Sequence, residues 1–265
     1  MPKKTELIRR GAHLLIGVIH LRPLPGAPRF RGDMNAVVRA AVDDARAYQE
    51  GGADAVVIEN FGDAPFRKDP LPPETLTGMA VAAQAVRQAI ELPIGFNALR
   101  NDAHGALALC ATCDGLFFRV NVHIGAMVTD QGLIEGQAFD TLRRRETLAP
   151  YAKILADVHV KHGAPLGAIP IEIAARDNLD RGMADALVVS GTDTGEATEL
   201  EDVRRVRSVC PEAPILLGSD VDAKTIARYL EYADGAIVGS SVKRGGRIDQ
   251  PVDARRVAAL RAAMR

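Results

Sequence analysis

The stretch Ala156-Asp157-Val158-His159-Val160-Lys161 alternates apolar and ionisable side chains, as a strand with one buried and one polar face would. A carboxylate and an imidazole on one face can pass a proton to or from a carbon beside a carbonyl, or protonate a leaving group. Asp157 and His159 are therefore the first candidates for an acid–base pair, and Asp157→Asn and His159→Ala are expected to abolish turnover. Lys161, next on that face, suits either a Schiff-base amine or an ordinary cation for an anionic substrate. The same alternation turns Arg119, Asn121 and His123 to one side of an earlier run. It also places His20, Glu59, Asn97, Ser190 and Ser219 near the ends of others. Glu59 joins the catalytic candidates, while His20, Asn97, Arg119, Asn121, Asp130 and Ser190 read as substrate-binding. His20, Glu59, Asp157 and His159 would also make a reasonable oxygen and imidazole set for a divalent metal, although no short ligand spacing compels one.

A repeated phrase supplies the scaffold for these groups. Ala53-Asp54-Ala55, Cys113-Asp114-Gly115, Ala184-Asp185-Ala186 and Ala233-Asp234-Gly235 each run into a short apolar stretch. Asp and Gly suit a chain reversal, and the apolar runs suit strands covered on both faces. Four further runs lie between the copies: 14–19, 93–96, 154–156 and 214–217. Eight strands in series predict a single (βα)8 barrel spanning 1–265, at about the usual length for that fold. Helices are expected over 34–50, 73–90, 101–112, 132–148, 167–181, 199–209, 222–231 and 251–264, where apolar residues recur at helical spacing.

The loops point to a working end. Helix-to-strand connections are terse, as in Gly51-Gly52-Ala53, whereas strand-to-helix connections such as 20–33, 60–73, 121–131, 159–166 and 191–198 are long and polar. Barrel active sites are built from that second kind of loop. Near the end of the chain, Gly218-Ser219-Asp220 and Gly239-Ser240-Ser241 follow the last two strands. Small residues there let backbone N–H groups approach an anion, so Gly218, Ser219, Gly239, Ser240 and Ser241 are the expected phosphate site. Asp63 and Asp130 sit in long loops where substrate contact competes with a plain turn role. Arg100 and Arg119 could pair with a substrate carboxylate or phosphate, with neutralisation of Glu59 or Asp157 the alternative for Arg119.

Composition narrows the function classes. The 265 residues carry a formal net charge of -1, which gives no general support for nucleic-acid binding. No apolar run approaches the roughly twenty residues needed to span a bilayer. Membrane insertion and a signal peptide are therefore not expected, and the three cysteines, in no framework spacing, fit a reducing cytoplasm. Cys110 and Cys113 read as small buried residues rather than a redox pair. Neither a P-loop string nor a dinucleotide fingerprint is present.

Longer strings carry a family resemblance. The runs 17–28, 58–66 and 97–102 resemble the BtpA family, as do Arg119-Val-Asn121, 125–132, 156–162 and Val238-Gly239-Ser240-Ser241. The resemblance extends from about residue 12 to 250. It implies a barrel of the ribulose-phosphate-binding type and leaves the chemistry open. The ring of polar residues and the phosphate loops themselves point to a small phosphorylated carbohydrate or related metabolite, and to isomerase, epimerase or lyase chemistry. One branch of the family is named for biogenesis of the photosystem I membrane complex and another, SgcQ-like, is linked to carbohydrate functions. A non-catalytic assembly or metabolite-sensing protein is thus the competing reading. Self-association through an outer helix is compatible with either.

Overall fold

The computed structural model describes residues 7–68, 70–191, 198–218 and 221–265. Eight parallel strands close into a barrel: β1 (Leu14–His20), β2 (Ala55–Glu59), β3 (Ile94–Asn97), β4 (Phe117–Val120), β7 (Lys153–Val158), β9 (Ala186–Val189), β10 (Ile215–Leu217) and β11 (Gly235–Val238). Around the ring the order is β1-β11-β10-β9-β7-β4-β3-β2. Outside it pack α1 (Met34–Glu50), α2 (Pro73–Ala89), α3 (Ala103–Thr112), α4 (Ala138–Leu148), α5 (Ile171–Asp180), α6 (Leu200–Val209), α7 (Ile226–Tyr229) and α8 (Ala254–Ala263). No helix among the described residues is long and apolar enough to cross a membrane.

Strand alternation sorts the apolar residues into two cores. Leu14, Ile16, Val18, Ala55, Val57, Phe117, Leu155, Val188, Leu216 and Ile237 fill the barrel interior. Their neighbours, including Leu15, Ile58, Phe118, Ile154 and Leu187, pack outward on the helices. The interior is thus filled with side chains below its mouth, so the polar groups above stand on a solid apolar floor. Cys110, Cys113 and Cys210 are buried free thiols, and burial pushes the Cys110 thiol up.

The repeated aspartates do more than turn the chain. Asp54, Asp185 and Asp234 each clamp one residue of the preceding barrel strand at both of its backbone groups. The Asp backbone N–H donates to the carbonyl of Leu15, Ile154 or Ile215 at 2.9, 2.9 and 2.7 Å. The carboxylate of the same Asp accepts that residue's N–H at 2.8, 2.9 and 2.8 Å. Arginines complete each clamp: Arg261 on Asp54, Arg145 on Asp185, and Arg207 with Arg10 on Asp234. The fourth copy differs. Asp114 has left-handed backbone (φ 56°), and Leu116 N–H reaches the Ile94 carbonyl at 2.8 Å.

Three expected helices are corrected. The range 132–148 begins as a hairpin, β5 (Ala126–Thr129) with β6 (Gly132–Glu135), and the helix starts only at Ala138. Gly132 has φ 92° at the turn, a conformation open to glycine. Met127 and Ile134 then alternate inward onto Val122 and Val160, a period of two that a helix cannot satisfy. A third strand, β8 (Gly163–Pro165), adds to β5, so the loops after β4 and β7 form one antiparallel sheet. The segment expected as 167–181 therefore enters its helix at Ile171, and 222–231 contracts to Ile226–Tyr229.

Candidate active site

Strand ends deliver polar groups to one cavity of about 360 Å³, entered from the strand-to-helix loops. His20 closes β1, Glu59 closes β2 and Asn97 closes β3. Arg119 and Asn121 come from β4 and just beyond it, Arg100 and Lys161 from the loops after β3 and β7, and Gly218, Gly239 and Ser240 from the last two strands. Asp130, exposed at the hairpin turn, reaches the same cavity. Sequence alone missed its apolar wall of Phe61, Phe66 and Ile248. The first two lie in a string already singled out by its resemblance, which was the available signal.

Glu59 is 7% exposed. Its Oε2 accepts from Asn97 Nδ2 at 2.8 Å, and Oε1 lies 4.0 Å from His20 Nε2. Burial raises the Glu59 pKa, outweighing the opposing pull of Arg119, the Asn97 hydrogen bond, Lys161 and Arg100. His20, its ring 4.8 Å from that of Phe61, is pushed the other way, from 6.5 to about 3, by burial first and then by Lys243 and Lys161. A carboxyl biased towards its protonated form thus faces a neutral imidazole. The carboxyl is then the group that gives or takes a proton, while the imidazole stays neutral beside it.

The sign of the His20 shift gives a pH prediction. The fold favours neutral His20, so its contribution to stability is complete above pH 6.5 and is lost as pH falls from 6.5 towards 3. Its ring resonances in NMR are expected not to titrate between pH 5 and 8; a midpoint near 6.5 would refute this placement.

Opposite Glu59 stands a cationic wall. Arg119 forks onto Asp157 (Nε–Oδ1 2.8 Å, Nη2–Oδ2 3.0 Å) and Asn121 Nδ2 donates to the same carboxylate at 2.9 Å. Burial opposes the charge on Arg119, but the Asp157 charge and hydrogen bonds, helped by Glu59, raise its pKa. Arg100 Nη2 donates to the Lys161 carbonyl, while buried Arg100 Nε has no partner. Its burial lowers its pKa against the attraction of Asp157 and Asp130. His20 Nδ1 and Asn121 Oδ1 are likewise buried without partners. Unsatisfied polar atoms are costly unless something else occupies the space.

Several expected placements are corrected. His159 does not face Asp157 across the mouth. β7 ends at Val158, and His159 adopts φ 57°, which breaks the alternation extrapolated through it. Its ring lies towards Asp202, Ile169, Arg205 and Glu172 on the helical side, and burial lowers its pKa. Asp157 is buried beneath Arg119 and lines an adjoining cavity instead of the mouth. The Asp157–His159 acid–base pair therefore does not form. The metal set fails for the same reason: His20 and Glu59 are neighbours, but Asp157 is committed to Arg119 and Asn121, and His159 is elsewhere. Among the described residues, no three His, Cys, Asp or Glu side chains converge as a metal site.

His123 turns away from the mouth, its Nε2 2.7 Å from the Gly182 carbonyl. Asp63 ties two loops together through Leu24 N–H (2.8 Å) and Asn60 Nδ2 (3.2 Å).

The small residues after the last strands make room for side chains. A Cβ on Gly239 would lie 2.5 Å from His20 Cε1, and one on Gly218 would lie 2.3 Å from Ser190 Oγ. Gly218 N–H is already spent on the Val189 carbonyl at 2.8 Å, so this amide is not an anion donor. Ser190 supports the site from behind, at 3.4 Å from Arg119 Nη2. Ser241 presents its carbonyl to Arg256 at 3.0 Å and does not line the cavity. Ser219 lies outside the described residues.

Comparison with known proteins agrees with this architecture. Tryptophan synthase from Mycobacterium tuberculosis superposes with a TM-score of 0.64 at 17% identity, covering 96% of this chain and 93% of that one. Thiamine phosphate pyrophosphorylase from Pyrococcus furiosus gives 0.59 at 15%, covering 96% of each. At such identities the likeness shows the barrel fold. In sequence, the photosystem I biogenesis protein BtpA of Synechocystis is 42% identical over 250 residues, 94% of this chain and 87% of that protein. The BtpA family profile matches residues 12–265. The chain belongs to the BtpA family.

Proposed function

We propose that this protein is an enzyme acting on a small phosphorylated carbohydrate or related metabolite by proton transfer, in an isomerase, epimerase or lyase reaction. The observation that carries the reading is a buried carboxyl, Glu59, set in a cavity whose other buried charged side chains are Arg100 and Arg119. Glu59 moves the proton, replacing the Asp157–His159 pair. Neutral His20 packs beside Glu59, and Asn97 fixes the carboxyl. Arg100, Arg119 and Lys161 hold the anionic group and stabilise negative charge that develops on the substrate. Ser240 and Gly239 form the remaining wall of the phosphate end.

A thermal-shift screen of sugar phosphates, their unphosphorylated sugars and nucleotides, with and without divalent ions, tests the ligand class. Stabilisation by a sugar phosphate and none by the free sugar is the expected result; equal shifts would refute it. Against a substrate so identified, Glu59→Gln is expected to reduce turnover by about 10²–10⁴-fold. Because the raised Glu59 pKa makes the wild type less stable as pH climbs above 4.5, the same variant should melt a few degrees higher at pH 7. Undiminished turnover in Glu59→Gln would remove Glu59 from the mechanism.

The assembly reading is favoured by the name of the Synechocystis relative and by exposed Val128, Leu133 and Leu166 on the loop sheet. It expects ligand-induced stabilisation without conversion of any stabilising compound.

A further inference from the structure

The barrel mouth has two unlike sides. Asn97, Arg100, Arg119 and Asn121 line one with polar and charged groups, whereas Phe61, Phe66 and Ile248 line the other with none. Aromatic side chains are scarce in this chain, with seven Phe, four Tyr and no Trp. Phe96, Phe117, Phe118, Tyr48 and Tyr229 lie in the core at no more than 1% exposure. Phe61 and Phe66 are instead half-buried and border the cavity. Their ring centroids are 6.2 Å apart with the planes at 56°, and Phe61 lies 4.8 Å from the His20 imidazole at 58°. Three rings in series therefore flank one cavity.

This wall is held from behind. Asn60 is 1% exposed; its Oδ1 accepts Leu99 N–H at 2.7 Å, and its Nδ2 donates to the Leu99 carbonyl at 3.3 Å and to Asp63 Oδ2 at 3.2 Å. Asp63 Oδ1 accepts Leu24 N–H at 2.8 Å, and Gly62 N–H reaches the Leu21 carbonyl at 3.0 Å. A Cβ on Gly62 would lie 2.5 Å from Pro23 N, so the turn that carries Phe61 sits directly on the loop after β1. A ring positioned before its ligand arrives lowers the entropy cost of binding. Sugar hydroxyls pressed against this wall would lose water and gain no partner. A flat aromatic face carries no such groups and favours offset or edge-to-face contact with Phe.

We propose that the substrate is a phosphorylated metabolite bearing an aromatic or heteroaromatic ring, with the ring on Phe61 and Phe66 and the phosphate on Arg100 and Lys161. This rests on the reading of the mouth as a phosphate-binding site and narrows its substrate class. Ile248, from the loop after β11, covers the ring from the other side of the entrance. At about 360 Å³ the cavity lies near the low end for ligand pockets, which suits one ring beside the charged group.

Isothermal titration of the full chain with phenyl phosphate, cyclohexyl phosphate and methyl phosphate tests the assignment. Phenyl phosphate is expected to bind about tenfold or more tightly than methyl phosphate, and severalfold more tightly than cyclohexyl phosphate. Phe66→Ala and Ile248→Ala, both at partly exposed positions, should remove most of the advantage of phenyl over methyl phosphate. Methyl phosphate binding should be unchanged in both variants, which reports an intact fold and anion site. Equal affinities for phenyl and methyl phosphate would overturn the ring assignment and leave the anion reading standing. So would phenyl phosphate binding that is undiminished in both variants or matched by cyclohexyl phosphate. Failure of all three phosphates to bind would remove the anion reading itself, and the proposal with it.

Discussion

Replacing Asp234 with alanine is expected to lower the free energy of unfolding by about 3–5 kcal/mol, the range for removing one partner of a buried ion pair. Four groups lose their acceptor at once: Gly11 N–H (2.7 Å), Ile215 N–H (2.8 Å), Arg10 Nη1 (2.8 Å) and Arg207 Nη2 (2.6 Å). Asp234 has 1% and Arg207 10% side-chain exposure, so water cannot readily replace the lost charge. Burial alone would raise the Asp234 pKa, but these hydrogen bonds and the Arg207 charge hold it below 3.8. Its stabilisation is therefore complete above pH 3.8 and fades only as pH drops through the lower folded value. The homologous clamp at Asp54 gives an internal control. Asp54 and Arg261 are each 27% exposed, so Asp54→Ala should cost clearly less. Urea unfolding monitored by circular dichroism measures both; equal losses would mean that burial does not set the strength of the clamp.

Asp157→Ala is the second large effect, also about 3–5 kcal/mol. The substitution leaves the Arg119 guanidinium, 9% exposed in its side chain, with only the through-space attraction of Glu59, and leaves the Asn121 amide without its acceptor. The freed Arg119 also loses its aim at the cavity, so the thermal shift caused by a sugar phosphate should shrink with it. The ligand-free measurement is decisive. A variant as stable as wild type, yet without turnover, would make Asp157 a proton-transfer group and would cancel the anchoring role.

The contrast between Asp157 and Glu59 is one of partners. Asp157 has a bidentate arginine and an asparagine on its carboxylate, so its oxygens are tied into the wall of the site. Glu59 has one neutral amide and a histidine 4.0 Å away, which leave burial to dominate. Two carboxylates near one cavity are thereby given different work.

Sequence periodicity was enough to predict the barrel, because eight buried strands and their spacing are written in local apolar runs and in the repeated Asp phrase. It also assembled His20, Glu59, Asn97, Arg119, Asn121 and Lys161 at one mouth, because each stands at or near the end of a predicted strand. What lay beyond it depended on where alternation stops. β7 ends at Val158, and the next residue takes a positive φ, so the rule that put Asp157 on the same face as the Arg119 guanidinium, though not at the mouth, misplaced His159. Periodicity could offer Arg119 either Glu59 or Asp157 as its partner, but not decide that Asp157, 38 residues later in the chain, would take it. Local patterning determines which face a side chain takes while the backbone stays regular. Which group is protonated, paired or free depends on burial and on charges from distant strands, and only closure of the barrel brings those together.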